Sequence, residues 1–205
     1  MVLTNSDKRK IQIESFKKQI YDVLEKSSMN NIISIDETNI DSHICSNYGW
    51  SKSGTRIQNT ITHPRIRYSL ILAISCKKII HQKLIKGSVN GEIFLEFIKG
   101  LVEKLKPNEN NYILLDNARI HHYKKINKFI LSQPKIFFIY NIPYTPETNP
   151  IEKVFNDIKR ILRNKKINNT NLISQIKKTI IYVSKNNNFE AYYKKSLLDD
   201  LGKVR

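Results

Sequence analysis

The chain has 205 residues, with 35 Lys and Arg against 18 Asp and Glu, a formal net charge of +17 and a pI near 9.8. That length suits one large domain with a full core, and the charge points first to a polyanionic partner, although an AT-rich coding sequence also yields this abundance of Ile, Asn, Lys and Tyr. No apolar run approaches the ~18 residues of a bilayer-spanning helix, so no membrane association is expected.

The opening "MVLTNSDKRK" lacks the apolar core of a secretory leader, which predicts an intracellular, reducing environment in which Cys45 and Cys76 are free thiols. Two cysteines without C-x-x-C spacing also argue against a structural zinc site. Ile13, Phe16, Ile20, Val23 and Leu24 share one helical stripe and predict a lead-in helix over residues 8–26, stopped by "SSMNN". "IISID", residues 32–36, reads as a short strand buried on both faces and ending in Asp36. "SNYGWSKSGTR" then suggests a turn or hairpin tip.

"YSLILAIS", residues 68–75, and "KIIHQKLI", residues 78–85, predict two strands of an antiparallel hairpin. Phe94, Phe97, Ile98, Leu101 and Leu105 define a helix between a capping Asn90 and Pro107. "YILLD", residues 112–116, is a fourth strand ending in Asp116, residues 121–131 a short helix, and "KIFFIY", residues 135–140, a fifth strand. Asn149 and Pro150 open a helix as cap and first residue, whose apolar face carries Ile151, Val154, Phe155, Ile158, Ile161 and Leu162. Two weaker amphipathic patterns follow, over residues 170–183 and 189–201. This order predicts an α/β fold, a mixed five-stranded sheet with helices on both faces. The expected division is a lead-in helix (1–30), a catalytic domain (31–168) and a C-terminal helical extension (169–205).

Three carboxylates stand at predicted element termini: Asp36 and Asp116 at strand ends and Glu152 in the first turn of a helix. Sites in open α/β sheets form at the carboxyl ends of strands, and like charges gathered there repel unless a cation lies between them. Hard divalent cations take oxygen ligands and keep several waters, and two such ions can serve an in-line phosphoryl displacement. Each residue also has a structural reading. Glu152 follows Asn149 at capping-box spacing, and aspartates commonly shape turns at strand ends. Glu37, on the opposite face from Asp36, and Asp157, about 140° around the helix from Glu152, are weaker candidates.

"SIDET", "LLDNARIHH" and "PYTPETNPIEKVFNDIK" resemble the three catalytic blocks of the mariner-like transposases and their bacterial insertion-sequence relatives, DDE superfamily endonucleases with a ribonuclease H-like fold. The resemblance covers roughly residues 10–165, with 35 residues between Asp116 and Glu152, and Gly49, Trp50 and Gly54 match a further "GW…G" segment. It implies a catalytic, metal-binding triad of Asp36, Asp116 and Glu152, with Asn117 and His121 as supporting neighbours. The implied chemistry is Mg²⁺- or Mn²⁺-dependent DNA cleavage with two ions, followed by attack of the freed 3′-hydroxyl on target DNA. Phe155, Thr145 and Thr148 depart from the family's usual residues in ways that concern packing. Members carry an N-terminal helix-turn-helix region, so the resemblance implies a truncated, decayed or split form, with end recognition absent or supplied by a separate chain, and a homodimer.

Lys52 and Arg56 in the loop after the first strand, and Lys159 and Arg163 on the Glu152 face of its helix, are the expected phosphate contacts. Trp50 either stacks on a base or seals the core. His121 and His122 lack a third ligand at zinc spacing. Besides a transposase, a ribonuclease H-like nuclease without strand transfer and a non-catalytic basic nucleic-acid-binding protein fit the same residues.

Overall fold

Ten residues from Ile32 to Asp41 form strand β1, and its pairing decides where the acidic residues stand. The computed structural model describes residues 5–46, 50–56 and 63–204; Gly49 of the "GW…G" segment lies outside them. Helix α1 (Asn5–Lys26) precedes β1, and β2 (Arg67–Ile74) and β3 (Ile79–Lys86) complete an antiparallel meander. Helix α2 (Gly91–Val102) leads to β4 (Asn111–Leu115), then α3 (Lys124–Leu131) to β5 (Ile136–Tyr140). The sheet order is β3-β2-β1-β4-β5, with β4 parallel to β1 and β5 parallel to β4. It is the mixed five-stranded sheet that the alternation of elements predicts.

Alternation along the strands divides the core in two, because successive side chains in a strand point to opposite faces. Ile32, Leu72 and Leu114 face one side, where they meet α1 and α4 (Pro150–Arg163). Ile33, Ile71, Ala73 and Ile113 face the other and pack against Phe94, Phe97 and Ile98 of α2 and Ile126 of α3. Helices α5 (Leu172–Asn186) and α6 (Phe189–Lys194), a π-helical turn (Lys195–Asp200) and α7 (Leu201–Lys203) contribute Ile176, Val183, Tyr193, Leu197 and Leu201 to the α1/α4 core. The segment read from the sequence as a C-terminal extension thus shares its core with the sheet.

Tyr193 ties this layer to the sheet. Its fully buried hydroxyl donates to Ile74 O at 2.7 Å and accepts from Ser34 N–H at 3.1 Å, between two residues that are paired in the β1–β2 register. Asp157 on α4 accepts from Asn187 Nδ2 at 2.6 Å, Arg160 at 2.9 Å and the Tyr192 hydroxyl, so this weaker candidate belongs to helix packing.

Three local expectations are corrected. First, β1 continues five residues beyond Asp36, because antiparallel pairing with β2 runs to Asp41 whereas parallel pairing with β4 stops at Ser34. Asp36 therefore does not end a strand; it lies just past the point where β4 leaves β1. Second, the helix predicted to start at His121 begins at Lys124, after a 3-10 turn over Arg119–His122. Third, the predicted helix to Lys106 stops at Val102 and tightens into i→i+3 turns through Lys104 and Leu105.

Candidate active site

The Asp36 side chain points to the α1/α4 face, as its neighbours Ser34 and Ile32 do, while Ile35 and Glu37 face α2. Asp116 follows the last residue of β4, the parallel neighbour of β1. Glu152 is in the first turn of α4, which packs over β1 and β2. All three carboxylates line one cleft of about 380 Å³, together with Asn117, Asn141, Tyr144 and Asn149.

The segment between β5 and α4 is held by buried hydrogen bonds. Asn141 N–H donates to Leu115 O at 2.8 Å, continuing the β4–β5 pairing. Its Oδ1 accepts from Thr148 Oγ1 at 2.7 Å and from Ile142 N–H at 2.8 Å, and Thr148 Oγ1 also contacts Thr145 O at 2.8 Å. Thr148 thus supplies its hydroxyl and Thr145 its carbonyl to this network, and the Thr145 hydroxyl donates to Pro143 O at 3.2 Å. Asn149 stands at the helix start but its side chain does not cap it; its Oδ1 accepts from Ser34 Oγ on β1. Its N–H donates to Pro146 O at 3.0 Å, leaving no partner there for Glu152. The capping-box reading of Glu152 is therefore wrong, and its carboxylate stays in the cleft.

The electrostatics of the cleft are unfavourable to three negative charges. Burial pushes the Asp36 carboxyl up, the 2.7 Å bond from Glu37 N–H opposes this, and the charges of Glu37, Asp116 and Glu152 raise it further, to about 7. Glu152 is also raised, first by burial and then by Asp116, with Lys159 pulling the other way. Asp116 is held low, chiefly by hydrogen bonding to His121.

His121 is fully buried, with Nδ1 at 2.8 Å from Asp116 Oδ1 and Nε2 at 3.2 Å from Glu37 Oε1. Burial disfavours its charged form, but the two carboxylates outweigh that and raise it to about 10. The ring also packs against Phe94, with centroids 4.4 Å apart. The sequence placed His121 beside Asp116; it missed Glu37 as the second anchor, because the face that puts Glu37 away from Asp36 says nothing of what waits there. Asn117 lines the cleft, and its Oδ1 meets Nε2 of His122, a ring stacked on Tyr140.

The donor set is all oxygen and its charge is under-compensated, which suits a hard divalent cation. Among the described residues no three His, Cys, Asp or Glu side chains are gathered closely enough to hold a metal ion as they stand. Asp116 turns toward His121, so the three carboxylates line the cleft without converging on one point. Of the expected phosphate contacts, Lys159 is near enough to act on Glu152. Arg163 is exposed, about 16 Å from Glu152 along the helix axis. Lys52 and Arg56 are exposed on a turn closed by Thr55 N–H to Lys52 O at 3.0 Å, with Gly54 at φ 81 supplying the left-handed step. Neither lines the cleft. Trp50, on the same segment, is 103% exposed, so it does not seal the core.

Comparison with solved structures identifies the sheet and its helices as a ribonuclease H-like fold. The chain is similar to the Mos1 mariner paired-end complex with Mn (16% identity, 99% of this chain and 62% of that one, TM-score 0.78). It is similar also to a pre-cleavage Mos1 transpososome (15%, 98% and 63%, TM-score 0.77) and to the catalytic domain of Mos1 mariner transposase (15%, 99% and 94%, TM-score 0.72). Residues 31–173 match the family model of the DDE superfamily endonucleases, and the chain belongs to that family. It spans less than two thirds of the transposase chains in the paired-end complexes. No curated protein matches the sequence.

Proposed function

We propose that the chain is a transposase catalytic domain that cleaves DNA strands and joins the freed 3′ ends to target DNA, the chemistry of DNA transposition and integration. The observation that carries this reading is the single cleft that Asp36, Asp116 and Glu152 line from β1, β4 and α4. In it these carboxylates would hold Mg²⁺ or Mn²⁺, two ions in the full arrangement. When bound, the ions stabilise the attacking and leaving oxygens of an in-line displacement at phosphorus.

His121 orients the Asp116 carboxylate through the 2.8 Å contact, and Asn117 lines the approach to it. Lys159 beside Glu152, with Arg163, Lys52 and Arg56, takes backbone phosphates, a sequence-independent contribution to affinity. A second copy of the chain and a separate end-recognition chain complete the proposed assembly, which works in an intracellular, DNA-associated setting. The chain carries no helix long and apolar enough to cross a membrane among its described residues.

The test is incubation of labelled duplex with Mg²⁺ or Mn²⁺, beside Asp116→Asn. Metal-dependent nicks with 3′ ends that appear in a second duplex support the proposal. Nicks without joining indicate a nuclease, and no cleavage with retained binding indicates a binding protein.

A further inference from the structure

We propose that a second cleft, at the pole of the sheet opposite the carboxylates, binds the phosphates of a nucleic-acid backbone. It has a volume of about 430 Å³ and lies between the β2–β3 turn and the connection from α2 to β4. Lys77 and Lys78 come from the first, Lys104 and Lys106 from the second, and Glu109 is the one acidic side chain among the described residues of its wall.

The charges there are largely uncompensated. Glu109 is paired with Lys106 at 2.6 Å. Lys104 Nζ donates to His81 Nδ1 at 2.7 Å, a neutral acceptor that leaves its charge in place. Lys77 and Lys78 are exposed and among the described residues neither ammonium is within ion-pair distance of a carboxylate, although Glu190, paired with Lys194, is near enough to Lys77 to be lowered by it. Ser75 Oγ accepts from both their backbone N–H groups, at 3.3 and 3.4 Å, and Ser75 N–H donates to Lys78 O at 2.9 Å, which fixes the turn that carries them. Ammonium groups on two separate connections around one concavity suit closely spaced phosphates better than a single anion.

Asn111 in this cleft begins β4, whereas Asp116 in the other cleft follows its end, so the two lie about 17 Å apart along the strand. Duplex DNA is stiff on that scale, with a persistence length of about 150 bp. With a rise of about 3.4 Å per base pair, the far cleft holds phosphates at least about five base pairs from those at the carboxylates. This deepens the DNA reading proposed above and rests on it.

The experiment measures binding of a short labelled duplex across a salt series in EDTA. Lys77→Gln with Lys78→Gln is compared with Lys77→Arg with Lys78→Arg and the unaltered chain, each checked by thermal melting. The expected result is a slope of log K against log salt reduced by about 1.8 in the Gln pair, about 0.9 for each phosphate no longer neutralised, and retained in the Arg pair. Pyrophosphate titration, followed by amide shifts at residues 75–78, separates the sources of phosphate. An unchanged slope with shifted amides assigns the cleft to free phosphate compounds and overturns the nucleic-acid proposal; an unchanged slope without shifts overturns the site. With EDTA present, failure of the chain to cleave DNA leaves this measurement intact. Lys52→Gln with Arg56→Gln reports separately on the expected phosphate-binding residues outside this cleft.

Discussion

Oδ1 of Asp116 lies 2.8 Å from Nδ1 of His121, a ring without solvent exposure whose other nitrogen reaches Glu37. One cation thus joins the end of β4 to the middle of β1 from the face opposite Asp36. His121→Phe keeps the packing on Phe94 but leaves both carboxylates without their buried partner. It is expected to destabilise the fold by about 2–4 kcal/mol, read by urea denaturation. A loss below about 1 kcal/mol means that these bonds do not hold β1 and β4 together.

Asp36 contributes to the pH dependence of the metal-free protein between about pH 4 and 7, with Glu152 acting in the same direction and His121 acting at higher pH. Its folded-state value, about 7 against 3.8 for the free side chain, means that the folded protein binds the proton more tightly. The contribution to stability is full below pH 4 and is lost as pH rises through about 7, up to roughly 4 kcal/mol. In EDTA, Asp36→Asn removes this slope. Equal slopes between pH 4 and 7 for both proteins contradict the raised carboxyl.

Trp50 contributes no packing, being fully exposed beside Lys52. Trp50→Ala is expected to leave the melting temperature unchanged while weakening single-stranded DNA binding by about 1–3 kcal/mol, the usual worth of a stacked base. Fluorescence anisotropy measures the second effect. A large fall in melting temperature with unaltered binding reverses the assignment.

Tyr144 has φ 58 and is 93% exposed at the edge of the carboxylate cleft. A left-handed non-glycine residue costs about 1–2 kcal/mol, and glycine returns part of that through its unfolded-state freedom. Tyr144→Gly should therefore stabilise the chain by about 0.5–1 kcal/mol in thermal melts. Destabilisation shows that the ring makes an interaction that compensates the strain.

Much of the site is legible in the sequence. Two apolar runs ending in aspartate, and a proline-started helix with glutamate in its first turn, single out Asp36, Asp116 and Glu152, and Asp116 and Glu152 stand where those patterns put them. Where β1 ends is not legible, because "ETNID" has no breaker and its strand state depends on β2 as a partner. The role of Asn149 is misread for a similar reason. A capping side chain is chosen locally, but a buried hydroxyl on β1, Ser34, competes for the same oxygen.

The sequence by itself determined the elements, their order and the two faces of the sheet, since hydrophobic periodicity is a local property of the chain. Only the tertiary structure decided that β4 lies parallel beside β1, that Asp36 and Glu37 face different partners, and that His121 bridges Glu37 and Asp116. Those relations join residues up to 84 positions apart, and interactions at such separation depend on packing and pairing across the whole sheet, which no stretch of neighbouring residues specifies.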